Sequence, residues 1–316
     1  MARCSYAAAV SLFALTHHDL GDLFDQIPLL ATRTGIEDLT GGLTNRNVKV
    51  TTPEGVYVAR CSDREHNPLG IDRDAEHVNS ERAERAGVGA PVLDYRPDLG
   101  VLVIGWLEGT TLDNEAFTRP DVVRRAAGAI RMLHEGERFD GDFDMFRRQQ
   151  GYLTTCRDHG HRMPDDYLDH ADAFDRIRRA LAVNDPGTVP CNNDLLAANF
   201  VDDGAKLWLI DYEYAGNNDA CFELGNTVQE CHLDLDRTEA LVAGYFGEVT
   251  RARLARVRLQ AVVAQYGWTL WGCIQHAAST LEFDFWEWAM ERYDGAVAAM
   301  RAPDFGGLLD DAAGTR

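Results

Sequence analysis

The order of strand-like and helix-like segments is the feature that most restricts the fold of this chain. From about Glu37 to Trp106 the sequence has short runs rich in β-branched residues, such as "NVKV" and "GVYVARC", separated by the turn-forming "TTPEG". From about Asp121 onward, apolar residues recur at helical spacing, interrupted by a strand-like pair, "NFVDD" and "KLWLIDYEY". We predict an α+β fold with a small antiparallel-sheet lobe followed by a larger, mainly helical lobe.

The length of 316 residues is sufficient for such a bilobed chain. We predict an N-terminal lobe over residues 1–106 and a C-terminal lobe over residues 107–316. Residues 1–30 are interpreted as a leader or helical extension of the first lobe. The opening "MARCSYAAAVSLFAL" resembles a secretory signal only weakly, because a single basic residue precedes the apolar run and no clear cleavage site follows. Secretion therefore stays a minor alternative.

The charge and cysteine content indicate the type of partner and compartment. The formal net charge of −20 disfavours binding to nucleic acid or an anionic membrane, and it favours a cationic small molecule or simply aids solubility. The seven cysteines form no Cys-x-x-Cys pair, which favours a reducing cytoplasm over a disulfide framework or a zinc site. No apolar stretch is long enough to span a membrane. The oligomeric state is left open.

Three polar residues around the predicted hairpin are the main candidates for chemistry. Asp194 precedes the first strand in the loop "CNNDLLAANF", Asn199 ends that loop, and Asp211 ends the next strand. A hairpin brings Asn199 and Asp211 together, and their oxygen atoms suit Mg²⁺ held against a phosphate. A nearby carboxylate suits the acceptance of a hydroxyl proton during phosphoryl transfer. The alternative is that these residues are loop caps.

The N-terminal lobe contains a second set of candidates. In "TGGLTNRNVKV" the glycines allow the backbone to approach phosphates, and the small polar residues can donate hydrogen bonds. The candidate residues of this loop are Gly41, Gly42, Thr44 and Asn45. Arg60 is a cation within an apolar strand, so it needs a partner if it is buried. Glu76 on the following helix could supply that partner, and Arg60 could instead be a surface residue on an edge strand.

The order of these motifs resembles the choline/ethanolamine kinase family, which lies within the kinase-like phosphotransferases that include aminoglycoside kinases. The resemblance extends from about Leu39 to Met300 and rests on "NNDLLAANF" followed by "LIDYEYAGNNDACFELGN". It implies a protein-kinase-like fold, ATP and Mg²⁺ as cofactors, and the hydroxyl of a small amino alcohol such as choline as phosphoryl acceptor. An aminoglycoside or another cationic natural product is the first alternative acceptor. A catalytically silent choline- or nucleotide-binding protein is the second alternative.

The resemblance also implies residue roles. Asp194 corresponds to the catalytic base, while Asn199 and Asp211 correspond to the magnesium ligands. Arg60 corresponds to the residue that grips the nucleotide phosphates, with Glu76, or less favourably Glu81, orienting it. The segment "VIGWLEG", which includes Trp106, resembles the hinge that contacts adenine through backbone groups.

One position departs from the family pattern. The family usually has a histidine two residues before the catalytic aspartate, and this chain has Asn192 there. In kinase-like folds that histidine mainly braces the loop, and asparagine keeps one donor and one acceptor on a shorter side chain. We therefore expect a differently braced loop and preserved chemistry, with a pseudokinase as the alternative.

A cluster of tryptophans near the C-terminus indicates a site for a cation. Trp268 and Trp271 share a helix face, and Trp288 starts the next predicted helix. Such a stripe usually packs in a core, but aromatic walls also bind quaternary ammonium groups through cation–π attraction. The resemblance implies that these three residues line a choline pocket and that Glu230 is its acidic residue. We predict that choline is preferred over ethanolamine.

Overall fold

The computed structural model describes residues 15–62 and 69–314, and the chain divides into two compact units. Among these residues, the first unit contains 15–62 and 90–107, and the second contains 69–89 and 108–314. Residues 1–14, nearly half of the segment interpreted as a leader or helical extension, lie outside the described residues. The described chain begins with helix α1, His17–Phe24, which is capped by reciprocal hydrogen bonds between Thr16 and Asp19.

The first unit is built on an antiparallel sheet. Its strands are β1 (Gly35–Leu39), β2 (Arg46–Thr52), β3 (Gly55–Cys61), β4 (Val92–Arg96) and β5 (Val101–Gly105). Their order across the sheet is β1-β2-β3-β5-β4, and every neighbouring pair is antiparallel. In β2 the buried positions Val48 and Val50 alternate with less buried ones. These two residues and Val103 of β5 belong to one core cluster with Leu20 and Phe24 of α1. This burial fixes the register of the strands that carry the glycine-rich loop and Arg60.

The second unit is mainly helical. Its helices are α2 (Arg73–Arg85), α3 (Pro120–His134), α4 (Met145–His159), α5 (Ala171–Val183), α6 (Ala220–Glu230), α7 (Leu235–Phe246), α8 (Arg251–Ala278), α9 (Phe285–Arg301) and α10 (Phe305–Ala313). Helix α2 clusters with this unit, although it lies between strands of the first unit in sequence. With the sheet of the first unit, these helices confirm the predicted α+β fold, a sheet-rich part followed by a mainly helical part.

Short strands in the second unit hold the loop "CNNDLLAANF". They are β6 (Thr110–Thr111), β7 (Val189–Cys191), β8 (Phe200–Asp202), β9 (Leu207–Leu209) and β10 (Gly216–Asn218). Strands β6, β8 and β9 form one antiparallel sheet, and β7 pairs with β10. The loop therefore leaves the end of one small sheet and enters the start of another, so both of its ends are fixed by strand pairing.

Helix α8 is the buried centre of the second unit. Nearly every residue from Ala255 to Gln275 is buried, which is expected of a helix that is covered on all sides. Helix α6 approaches it closely at Gly225, where a Cβ atom would lie 2.6 Å from the backbone nitrogen of Ala261 and 2.7 Å from the carbonyl oxygen of Val257. Glycine at position 225 thus permits the contact between α6 and α8.

Helix α5 starts at Ala171, directly after the tighter 3₁₀ turn Tyr167–His170. One predicted strand boundary was wrong. The strand predicted to end at Asp211 ends at Leu209, and Asp211 adopts a left-handed backbone conformation with φ of 66°. Asp211 is therefore in the turn after the strand, where its backbone leaves the sheet.

The cysteines and the apolar character of the helices are relevant to the predicted compartment. The six cysteines of the described residues are free and buried. Among the helices of residues 15–62 and 69–314, none combines the length and apolar character that a bilayer crossing requires.

Candidate active site

Asn192 connects the loop around Asp194 to the turn around Asp211. Its side-chain Nδ2 donates hydrogen bonds to the backbone carbonyls of Ile210 (3.1 Å) and Asp211 (2.8 Å). Its Oδ1 accepts the backbone N–H of Asp194 at 3.1 Å. The side chain is fully buried, so each of these bonds replaces one that water would otherwise supply. Asparagine at this position therefore braces both candidate carboxylate residues through their backbones.

Glu223 of α6 also stabilises the loop around Asp194 through hydrogen bonds. Its two carboxylate oxygens accept the backbone N–H groups of Asn192 (2.9 Å) and Asn193 (2.6 Å), and the residue has no solvent-exposed surface. Asn193 needs this support because its backbone is left-handed, with φ of 69°. The amide of Asn193 donates in addition to the carbonyls of Cys191, Tyr214 and Gly216. Sequence reasoning missed Glu223, although "ELGN" was part of the resemblance.

His134 and Cys191 complete a buried cluster with Glu223. One ligand-type atom from each of these three residues lies within 4.8 Å of the others, and no further group of this kind occurs among the residues that the structure describes. His134 Nε2 is 3.4 Å from the Cys191 thiol, and His134 Nδ1 is 2.8 Å from the Tyr245 hydroxyl. Because the Glu223 carboxylate already accepts two backbone bonds, this cluster is a hydrogen-bonded support for the loop.

Asn199 forms hydrogen bonds with both segments of the candidate magnesium site, the loop around Asp194 and the turn around Asp211. Its Nδ2 donates to the carbonyl of Asp194 at 2.7 Å, and its own carbonyl accepts the N–H of Ile210 at 3.0 Å. The first bond orients the amide so that its oxygen is the atom available as a ligand. The second bond places Asn199 next to the turn that contains Asp211. The pairing expected from the hairpin is thus present, and the donor set is composed of the oxygen atoms that Mg²⁺ prefers.

Several carboxylates influence Asp194. Burial raises the pKa of Asp194 well above its usual range, and the negative charges of Glu230, Asp211 and Glu213 raise it further. The positive charge of Arg292 acts in the opposite direction. Such a concentration of negative charge around a partly buried carboxylate is an environment that a divalent cation would stabilise.

Arg73 connects two of the buried acids. Its Nη1 lies 2.7 Å from a carboxylate oxygen of Glu76 and 3.0 Å from one of Glu213, and both acids are buried. Arg73 and Glu213 were not among the predicted site residues, although Glu213 lies two residues after Asp211 in "IDYEYAG". Glu76, which was predicted to orient Arg60, is thus also the partner of a cation on its own helix, α2.

Four of the predicted nucleotide-binding residues lie in the loop between β1 and β2 of the first unit. Gly41 has φ of 101°, and at Gly42 a Cβ would lie 2.4 Å from the carbonyl oxygen of Asn45, so both positions require glycine. Asn45 is buried, whereas Thr44 beside it is partly exposed.

Arg60 and Trp106 occupy two further positions in this unit. Arg60 is buried in β3, and its Nη1 is 3.4 Å from Oδ1 of Asn47. Trp106 follows β5, and its backbone N–H donates to the carbonyl of Val56 at 3.2 Å. The Lys49 ammonium lies 4.3 Å from the centre of the Trp106 ring. The pairing of Arg60 with Glu76 stays a prediction.

The predicted amine-binding residues form one connected cluster in the second unit. Trp271 lies 5.1 Å from Trp288 between ring centres, and its indole N–H donates to the Tyr214 hydroxyl at 2.8 Å. The Trp268 ring lies 5.1 Å from that of Tyr214. Trp268 and Trp271 are almost fully buried, whereas Trp288 is partly exposed. The cluster thus contains both core side chains and one accessible indole.

Glu230 and Trp288 of this cluster share a partner that was not predicted. Arg292 of α9 forms an ion pair with Glu230, with Nη2 2.5 Å from Oε2, and its guanidinium carbon is 3.5 Å from the centre of the Trp288 ring. All three residues belong to helices α6 and α9. No sequence signal marked Arg292, because its partner Glu230 is 62 positions away.

Comparison with known proteins shows the family to which the chain belongs. The sequence profile of the family described as choline/ethanolamine kinase matches residues 36–244. The chain belongs to the choline/ethanolamine kinase family. It is therefore a kinase that phosphorylates an alcohol, which confirms the predicted enzyme class and the cofactors ATP and Mg²⁺ at the level of the family. A small alcohol substrate follows from the same membership.

Three individual relatives illustrate the similarity. A choline/ethanolamine kinase family protein from Mesorhizobium loti has a crystal structure that superimposes with a TM-score of 0.84 at 32% identity, covering 95% of this chain and 99% of that chain. Protein LicA of Haemophilus influenzae is 26% identical and covers 80% of this chain and 97% of its own length. Human ethanolamine kinase 2 is also 26% identical and covers 81% of this chain and 73% of its own. The predicted kinase-like fold is confirmed.

Proposed function

We propose that this kinase transfers the γ-phosphoryl group of ATP to the hydroxyl of choline or a similar small amino alcohol. The observation that supports the proposal is the loop around Asp194, whose backbone is hydrogen-bonded to the side chains of Asn192 and Asn199, next to the turn that contains Asp211. The tryptophan cluster with Glu230 supports a cationic group on the alcohol.

The proposed roles follow from the chemistry of each group. Asp194 accepts the proton of the substrate hydroxyl, whose oxygen forms the new bond to phosphorus while the bond to ADP breaks. The raised pKa of Asp194 makes it a better proton acceptor once it is ionised. Asn199 and Asp211 would hold Mg²⁺, which when bound neutralises the phosphate charge. Asn192 and Glu223 keep the backbone of the loop in position for these contacts.

The residues of the first unit keep the roles that the resemblance implies. The loop containing Gly41, Gly42, Thr44 and Asn45 would contact phosphates through its backbone, since neither glycine can be replaced without strain or a clash. Arg60 would grip the phosphates, and the backbone near Trp106 would contact adenine. The first unit is the proposed nucleotide-binding lobe.

The proposal is tested by supplying ATP and Mg²⁺ with a panel of alcohols and measuring ADP release together with the phosphorylated product. We expect choline to give the highest kcat/KM, ethanolamine a lower value and aminoglycosides such as kanamycin the lowest. Phosphorylation of the aminoglycoside alone would contradict the proposed substrate class. Nucleotide binding without turnover of any alcohol would instead indicate a pseudokinase.

A further inference from the structure

Arg292 occupies the place in the cluster where a cationic substrate would be expected. Its guanidinium faces the indole of Trp288 with 3.5 Å between the guanidinium carbon and the ring centre. Its Nη2 and Nε lie 2.5 Å and 3.2 Å from the two carboxylate oxygens of Glu230. An aromatic face together with a carboxylate is the combination by which proteins recognise an organic cation. Here an arginine of the same chain meets both groups.

The binding capacity of this site is already used within the protein. Besides its two bonds from Arg292, Glu230 accepts a hydrogen bond from Nε2 of Gln229 at 2.6 Å. Arg292 also donates to the carbonyl of Trp288 at 3.3 Å. The side chains of Arg292 and Glu230 are only 7% and 8% exposed, so water does little to weaken their pairing. A substrate ammonium therefore meets a carboxylate that is already neutralised.

Arg292 also contributes to the electrostatic environment of Asp194, the proposed base. Its charge and that of Glu230 both act on Asp194, so the pair belongs to the electrostatic surroundings of the proposed base. A fixed guanidinium there repels a second cation. It follows that the identity of residue 292 affects which alcohols can be placed next to Asp194.

We propose that Arg292 is a specificity-determining residue that acts as an internal competitor for the amine site. This inference rests on the proposed function. A cationic alcohol gains Glu230 and the face of Trp288 only by displacing the guanidinium. A primary ammonium can replace the lost hydrogen bonds to Glu230, whereas a trimethylammonium has no N–H donors. Arg292 thus reduces the advantage that the indole faces would otherwise give to choline over ethanolamine.

Binding of tetramethylammonium tests this inference without requiring turnover. We would measure its Kd by calorimetry for the wild type and for the neutral variants Arg292→Leu and Arg292→Gln. Both variants should bind it at least about 10-fold more tightly, because the competing cation is removed and Glu230 is freed. Arg301→Leu is the matched control, since it removes a positive charge from the exposed end of the same helix, and its Kd should equal that of the wild type.

Three results would overturn the inference. The first is unchanged or weaker tetramethylammonium binding in a folded neutral variant, as judged by circular dichroism. The second is equal tightening in Arg301→Leu, which would indicate a general effect of net charge. The third is failure of both neutral variants to fold, since a displaceable occupant cannot be essential to the core.

Kinetics separate this inference from the proposed function. The choline-to-ethanolamine ratio of kcat/KM should rise at least about 10-fold in Arg292→Gln, through a lower KM for choline with an unchanged KM for ATP. A wild type that phosphorylates neither amine would refute the proposed function, while tighter tetramethylammonium binding by the variants would still support the competitor role. An active wild type whose ratio does not change in the variant would refute only the competitor role.

Discussion

The side-chain amide of Asn192 lies 2.8 Å from the backbone carbonyl oxygen of Asp211, and this bond joins the two loops that carry the proposed base and metal ligand. The same side chain accepts the N–H of Asp194 through its oxygen. Asparagine thus supplies the donor and the acceptor that bracing requires, at the position where the family resemblance leads us to expect histidine.

Two substitutions of Asn192 distinguish the contribution of its hydrogen-bond donor from that of its acceptor. Asn192→Ala should lower the free energy of unfolding by about 1–3 kcal/mol, because the part-buried carbonyls of Ile210 and Asp211 lose the hydrogen bonds that Asn192 donates. Asn192→Asp keeps an acceptor for Asp194 but places negative charge against those carbonyls, so it should cost more. Chemical denaturation measures both values. A smaller loss for Asn192→Asp than for Asn192→Ala would argue against the bracing role.

If bracing is the only role of Asn192, Asn192→His should fold and keep activity within about 10-fold.

Asp194→Asn should lower kcat by about 100-fold or more, because an amide cannot accept the substrate proton. ATP binding should be retained, since Asn199 and Asp211 are unchanged. Single-turnover kinetics and nucleotide titration measure the two effects separately. Asp158→Asn, an exposed change in α4, is the control and should behave as the wild type. Near-normal turnover in Asp194→Asn would rule out its role as the base.

Asp211→Ala should abolish the dependence of nucleotide binding on Mg²⁺, because a charged oxygen ligand is removed. Asn199→Ala should weaken that dependence less, although it also removes the bond to the Asp194 carbonyl. Calorimetric titration of ATP with Mg²⁺ and with a chelator provides the comparison. Tight, magnesium-dependent binding by the Asp211 variant would contradict the assigned ligand.

Glu223→Gln should destabilise the fold by about 1.5–3 kcal/mol, since an amide can accept only one of the two backbone N–H groups that the carboxylate accepts. It should also lower kcat by misplacing Asp194. Glu248→Gln is the control because that acid forms an exposed ion pair with Arg253, and it should change stability by less than about 1 kcal/mol. Equal effects of the two changes on thermal unfolding would contradict the support role of Glu223.

Gly225→Ala should lower the free energy of unfolding by about 1–3 kcal/mol, because the added methyl group meets the backbone of α8. Gly128→Ala in α3 is a matched helical control with no atom within 4 Å of its added Cβ, and it should raise stability by up to about 1 kcal/mol. Denaturation curves for the two variants show whether each substitution lowers or raises the free energy of unfolding. A stabilised Gly225 variant would mean that α6 can move away from α8 at little cost.

The sequence alone determined the order of sheet and helices and supplied the candidates for the reactive groups. Strand and helix periodicity are local, because neighbouring residues decide which faces are apolar, and so "NVKV" and "DVVRRAAGAIRMLHEG" could be interpreted without a structure. Asp194, Asn199 and Asp211 were also selected as candidates from sequence, since a short loop and a hairpin place them within 18 positions. Their chemical types then restricted what the loop can bind.

The tertiary structure decided which distant side chains support or occupy the site. Glu223 reaches the loop because α6 packs closely on α8 at Gly225, and Arg292 reaches Glu230 because α6 and α9 both pack on α8. These contacts join residues about 30 and 62 positions apart, so no local pattern contains them. The tryptophan stripe was compatible with both a core and a cation site, and only helix packing buried Trp268 and Trp271 while leaving Trp288 partly exposed beside an internal cation. Long-range packing determines burial and pairing, because both depend on surfaces that different helices contribute.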